Sequence, residues 1–105
     1  MLQHGINKNL IFSMLQSKQH ELATYGVLRI GLFGSFVRNE HKENSDIDFL
    51  VDFQRERKTL TNLVDLGDYL EKLFGRKVDL VTPQGLSKYI GPSIMKEVQY
   101  ATFDH

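Results

Sequence analysis

Asp46-Ile47-Asp48 opens an apolar run, and the pair Gly34-Ser35, with ten residues between it and Asp46, closes another. The alternation along Ile47-Asp48-Phe49-Leu50-Val51-Asp52-Phe53 is that of a β-strand. It puts Asp46 and Asp48 on one face, roughly 6.5–7 Å apart at Cα, because side chains along a strand repeat every second residue. Two carboxylates at that separation can share a pair of hard cations about 3.5–4 Å from each other, the spacing of two-metal phosphoryl transfer. An all-oxygen donor set points to Mg²⁺. Gly34-Ser35, where a strand would turn into a helix, offers backbone N–H groups, a hydroxyl and room for a phosphate to reach the backbone. Arg38, one helical turn later, can offset charge on a leaving pyrophosphate. A nucleoside triphosphate suits the combination.

For Gly34 to lie near Asp46, the strands they end and begin must be antiparallel neighbours. Val27–Phe33 and Ile47–Phe53 are those strands. A helix over residues 59–74, with Leu60, Leu63, Leu66, Leu70, Leu73 and Phe74 on one face, then makes a crossover to a third strand, Lys77–Val81. A crossover of that length favours a parallel pair and brings Asp79 to the same sheet end. Three clustered acids repel one another, and cations relieve that repulsion most simply. Singly, each feature has a plainer reading: Gly-Ser as a turn, Asp-x-Asp as a solvated edge, Arg38 and Asp79 as surface residues. Their order between two strands argues for chemistry.

The remaining elements follow from periodicity and punctuation. Asn7 to Thr24 reads as one amphipathic helix, capped by Asn7 and ended by Gly26. Ser35 to Asn39 reads as a short helix. Thr59 or Thr61 caps the long helix, Gly75 closes it, and Gly67 within it suggests close packing on the sheet. Leu86 to Ile90 is expected to make a helical turn, and Pro92 to Tyr100 a last helix with proline in its first turn.

The chain of 105 residues is expected to be one domain, 1–105, with no room for a second that would bind an acceptor. Thirteen basic and thirteen acidic side chains cancel, which disfavours direct nucleic-acid binding. There is no cysteine for a disulfide or thiolate site, and His4, His20, His41 and His105 are scattered. No apolar run approaches the roughly 20 residues of a membrane span, so no membrane partner is expected and the cytoplasm is the expected location.

At Gly34-Ser35, Asp46-x-Asp48 and Asp79 the chain resembles the polymerase-β-like nucleotidyltransferases. Within them it is similar to the minimal nucleotidyltransferases that act as antitoxins to HEPN-domain ribonuclease toxins, from the first helix through Val81-Thr82-Pro83. The resemblance implies an α/β fold with a small mixed β-sheet flanked by helices. It implies ATP as substrate, bound by Gly34 and Ser35, and two Mg²⁺ ions held by Asp46 and Asp48, with Asp79 on the ion that activates the attacking hydroxyl. It also implies transfer of AMP to a tyrosine of a partner HEPN toxin, in a hetero-oligomer; homodimerisation is left open. Asn39 departs from the pattern, where relatives usually carry glycine, but asparagine tolerates a left-handed backbone.

His41 reads as a solvated loop residue rather than a substrate contact. Arg55, Arg57 and Lys58 form a basic cluster that is either a solvated loop or a contact for the triphosphate tail or an acidic partner face. Tyr89, Ile90, Ile94, Met95, Val98, Tyr100 and Phe103 read mostly as core, any exposed part being a candidate partner surface. Two rival functions stand beside AMP transfer: a binding antitoxin acting by occlusion, and nucleotidylation of a small-molecule hydroxyl such as an aminoglycoside's.

Overall fold

In the computed structural model, which describes residues 5–104, the Asn7 side chain accepts the Leu10 N–H and caps α1 (Lys8–Ser17). The single helix expected to Thr24 is two, because the chain bends at Lys18 (φ −109°, ψ 19°) and resumes as α2 (Gln19–Thr24). The bend costs little hydrogen bonding, since the Lys18 N–H still reaches the Met14 and Leu15 carbonyls. Leu22 of α2 and Ile11 and Leu15 of α1 are all fully buried in one core. Of the histidines, His4 and His105 lie outside the described residues.

Strands β1 (Val27–Phe33) and β2 (Ile47–Phe53) occupy the expected residues and pair antiparallel, with Phe33 opposite Asp48. Thr59 caps α3 (Leu60–Phe74) by accepting the Asn62 N–H, and Gly75 ends it in the left-handed conformation, φ 66°. This helix carries the chain over to β3 (Val78–Val81), parallel to β2. Close packing does not account for Gly67: a Cβ there would meet only Leu80, at 3.7 Å, and nothing in the structure explains the residue.

Helix α4 (Gly91–Glu97) is shorter than the helix expected to Tyr100. Val98 turns to extended backbone (φ −61°, ψ 135°), and Gln99–Tyr100 become β4, antiparallel to β1 at Leu32 and Gly31. The sheet order is β3-β2-β1-β4, mixed in direction, with helices on both faces.

The two faces of β2 go to different cores. Ile47, Phe49, Val51 and Phe53 meet α1, α2 and α3 in the main core. Fully burying side chains of this size contributes about 1.5–3 kcal/mol each. Leu50, on the acid-bearing face, joins Phe33 and Ile94 in a smaller core beneath α4. Gly31 makes room for that layer, since a Cβ there would overlap Val98 and crowd Tyr100.

Candidate active site

The acidic end of the sheet is built by strand pairing. Across the parallel pair Asp48 stands opposite Asp79, and across the antiparallel pair Phe33 of β1 stands opposite Asp48, which delivers Gly34 to the same place. Gly34 has φ 78°, and a Cβ on it would run into the Asp48 carboxylate, so glycine is required twice over. Asp46 lies just before β2, where the Ile47 N–H donates to the Lys77 carbonyl at 3.0 Å. Arg76, which the sequence did not single out, fastens the approach: its Nη1 donates to the Ser45 carbonyl at 2.8 Å, and its guanidinium lies 5.3 Å from the centre of the Phe36 ring. A cavity of about 210 Å³ beside Asp46 is lined by Glu43, Asn44, Ser45, Gly75, Arg76 and Lys77.

Burial pushes the Asp48 carboxyl up to about 6, helped by the neighbouring Asp79 charge, a hydrogen bond with Asp79 and, more weakly, Asp46; Arg38 opposes them. A divalent cation relieves the same repulsion as the proton, and three carboxylates form the hard oxygen set that Mg²⁺ prefers. Asp46, Asp48 and Asp79 therefore fit such an ion. Among the described residues no three acidic or histidine side chains stand converged as a ready-made ion-binding group. The fit thus rests on the half-buried Asp48 carboxyl opposite Asp79 and not on a finished cage.

The segment after Gly34 differs from the short helix expected over Ser35–Asn39. It is a series of turns in which Arg38 N–H reaches the Gly34 carbonyl at 3.3 Å and Glu40 N–H the Ser35 carbonyl at 2.8 Å. Asn39 breaks it with φ 58°, the left-handed conformation that asparagine tolerates. The turn offers the Gly34 N–H to an anion, without a helix end behind it.

That N–H is engaged by Glu97, the last residue of α4, whose Oε2 accepts it at 2.7 Å. Arg38 Nη1 donates to Glu97 Oε1 at 2.8 Å and Oε2 at 3.1 Å, while Arg38 Nε donates to Glu40 at 2.9 Å. Burial disfavours the Glu97 charge, but the Gly34 N–H and Arg38 outweigh it and hold the carboxyl below its ordinary value. Among thirteen acidic residues nothing local singles out Glu97; the short α4, packed through Ile94 on Phe33 and Leu50, brings it here.

Two other expectations change. His41 is no solvated loop residue: its ring stacks on Phe36 at 4.2 Å, and its Nδ1 is buried without a partner. The basic cluster lies at the end of the sheet opposite Gly34, because it follows Phe53, whose partner Val27 begins β1. Arg57 there donates to Asn62 at 3.3 Å.

The nucleotidyltransferase domain family matches residues 16–101. The protein adenylyltransferase MntA of Thermococcus cleftensis is 45% identical over 91 residues, which are 86% of this chain and 91% of that protein. A candidate protein adenylyltransferase of Methanocaldococcus jannaschii is 39% identical over 92 residues, 86% of this chain and 93% of that one. Among solved structures, a candidate minimal nucleotidyltransferase superposes with a TM-score of 0.78 at 30% identity, covering 92% of this chain and 98% of that one. A toxin–antitoxin complex with AMP-PNP has a TM-score of 0.64 at 22% identity, covering 95% of this chain and 76% of that one, a likeness of fold. The architecture is that of a minimal nucleotidyltransferase. This chain belongs to the nucleotidyltransferase domain family, and is an enzyme of that class.

Proposed function

We propose that this enzyme, acting in the cytoplasm, is an antitoxin that transfers AMP from ATP to a tyrosine hydroxyl of a HEPN-domain ribonuclease toxin. The observation that carries this reading is the meeting of Asp48, Asp79 and the Gly34 turn at one sheet end. The identity to an MntA protein adenylyltransferase supports AMP as the transferred group and a protein as acceptor.

In this reading Asp46 and Asp48 hold two Mg²⁺ ions and Asp79 joins them in holding one. Bound there, Mg²⁺ lowers the pKa of an attacking hydroxyl and neutralises charge on the phosphates. Gly34 and Ser35 seat the triphosphate, and Arg38 stabilises the departing pyrophosphate. The acceptor oxygen attacks the α-phosphorus, the bond to the pyrophosphate oxygen breaks, and the hydroxyl proton leaves to the acidic end or to water. Tyr89, Ile90 and Met95 are exposed apolar residues on and just before α4, the element whose last residue reaches the Gly34 turn. They support a macromolecular acceptor over a small hydroxylated one.

Incubation with labelled ATP, Mg²⁺ and the partner toxin tests the proposal. Label is expected on a toxin tyrosine with the wild-type enzyme and is expected to vanish with Asp46→Ala and Asp48→Ala combined. An undiminished adduct on that variant refutes the assigned roles, and full neutralisation by it without any adduct establishes occlusion instead.

A further inference from the structure

Gly34 and Arg38 are the groups through which the turn after β1 would grip an anion, and in this structure a carboxylate of the same chain already sits between them. Glu97 Oε2 takes the Gly34 N–H at 2.7 Å, and both of its oxygens take Arg38 Nη1, at 2.8 and 3.1 Å. A carboxylate presents to such donors the charge and oxygen spacing that a phosphate edge presents. The contact is tertiary: 63 residues separate Glu97 from Gly34, and it forms because α4 ends over the acidic face of the sheet. The Arg38 and Glu97 side chains remain 47% and 26% exposed, so the pair can exchange for another anion without unfolding anything.

The Gly34 N–H and Arg38 hold the Glu97 charge in place against the burial that disfavours it. Glu97 brings a further carboxylate to the sheet end where Asp48 and Asp79 already stand opposite each other.

We propose that Glu97 is a built-in competitor of the nucleotide: its carboxylate holds the Gly34–Arg38 anion site in the free enzyme, and a triphosphate binds by displacing it. The inference rests on the reading of that turn as the triphosphate seat. It makes Glu97 a residue that sets nucleotide affinity, and makes α4, which carries it, the element whose position opens or closes the seat. Apparent affinity falls by the fraction of enzyme whose seat is free, so a seat filled for about nine-tenths of the time weakens binding about tenfold.

The test is calorimetric titration of the full chain with a non-hydrolysable ATP analogue in Mg²⁺, comparing wild type with Glu97→Gln and Glu97→Ala. Glu97→Gln keeps the shape and loses the charge; Glu97→Ala loses both. Both are expected to bind about three- to tenfold more tightly, with a matching fall in KM for ATP. In an Arg38→Ala background the gain from Glu97→Ala is expected to shrink, because the carboxylate has lost its main anchor. If wild type binds the analogue and both variants bind it equally or more weakly, Glu97 supports the turn and does not compete, and the inference is overturned alone. If neither wild type nor variants bind the analogue, the triphosphate seat itself is wrong and both readings fall.

Discussion

Strand β1 is bracketed by two glycines with nearly the same backbone angle, Gly26 at φ 79° and Gly34 at φ 78°, and each faces a side chain that a Cβ would strike. At Gly26 the obstacle is the aliphatic stem of Arg57. That end is closed and satisfied: Gln54 N–H donates to the Gly26 carbonyl at 2.8 Å, and the Asn62 amide donates to the Tyr25 and Arg57 carbonyls. At Gly34 the obstacle is the Asp48 carboxylate, which faces Asp79 across the sheet, and the Gly34 N–H is spent on a glutamate from a distant helix. The same backbone device therefore closes a structure at one end and exposes unbalanced charge at the other. A positive-φ glycine becomes informative about function through the atoms that its missing side chain leaves room for.

Substituting each glycine by alanine should separate the two ends most sharply. Gly34→Ala is expected to lower the rate of AMP transfer by more than about 100-fold, because the new methyl displaces Asp48 and closes the backbone to phosphate. Gly26→Ala should cost about 1–3 kcal/mol of stability through strain and overlap with Arg57, and leave the rate per folded molecule as it was. Denaturant unfolding alongside a single-turnover assay checks both. Equal activity losses at the two ends would erase the distinction.

A smaller effect concerns charge alone. The folded-state value of Asp48 is raised from 3.8 to about 6, so the free folded protein binds this proton more tightly than the unfolded chain does. Stability should therefore decline as pH rises from about 4 to about 6 and stay flat above. Asp48→Asn removes that penalty. It should stabilise the metal-free protein by about 1–2 kcal/mol at pH 7.5, after discounting for partial exposure, and by nothing near pH 4. Urea midpoints across this range, with chelator present, measure it; a variant gain that persists at pH 4 would assign the effect to packing.

The smallest effect belongs to the satisfied end. Arg55→Ala with Lys58→Ala is expected to change nucleotide affinity by less than about twofold at 0.15 M salt, since those charges lie a strand length, about 20 Å, from Gly34. A tenfold loss would mean that the triphosphate lies elsewhere.

Much of this arrangement was legible in the chain because strong local signals happened to carry it. The alternation of Ile47–Phe53 marked β2, Asn7 marked the start of α1, Thr59, one of two candidate caps, the start of α3 and Gly75 its end, and the crossover length indicated the direction of β3. What escaped depends on partners far off in sequence. Gln99–Tyr100 is too short a strand to show a period, and its pairing with β1 depends on Gly31 leaving room for Val98 and Tyr100. His41 took its character from the Phe36 ring, and Arg76 from the Ser45 carbonyl. Glu97 is the plainest case, an ordinary helix-end glutamate until the fold lays it on Gly34.

In the function proposed above, the acidic end is a cation-dependent nucleotide site where Mg²⁺ would replace a proton held by Asp48. Calorimetric titration with Mg²⁺ and a non-hydrolysable ATP analogue at pH 6, in buffers of different ionisation enthalpy, reads that exchange directly. Binding by wild type is expected to release protons, the release to fade by pH 8, and Asp48→Asn to lose both the release and most of the Mg²⁺ dependence. Equal Mg²⁺-dependent binding by wild type and Asp48→Asn, with no proton released at pH 6, would contradict it.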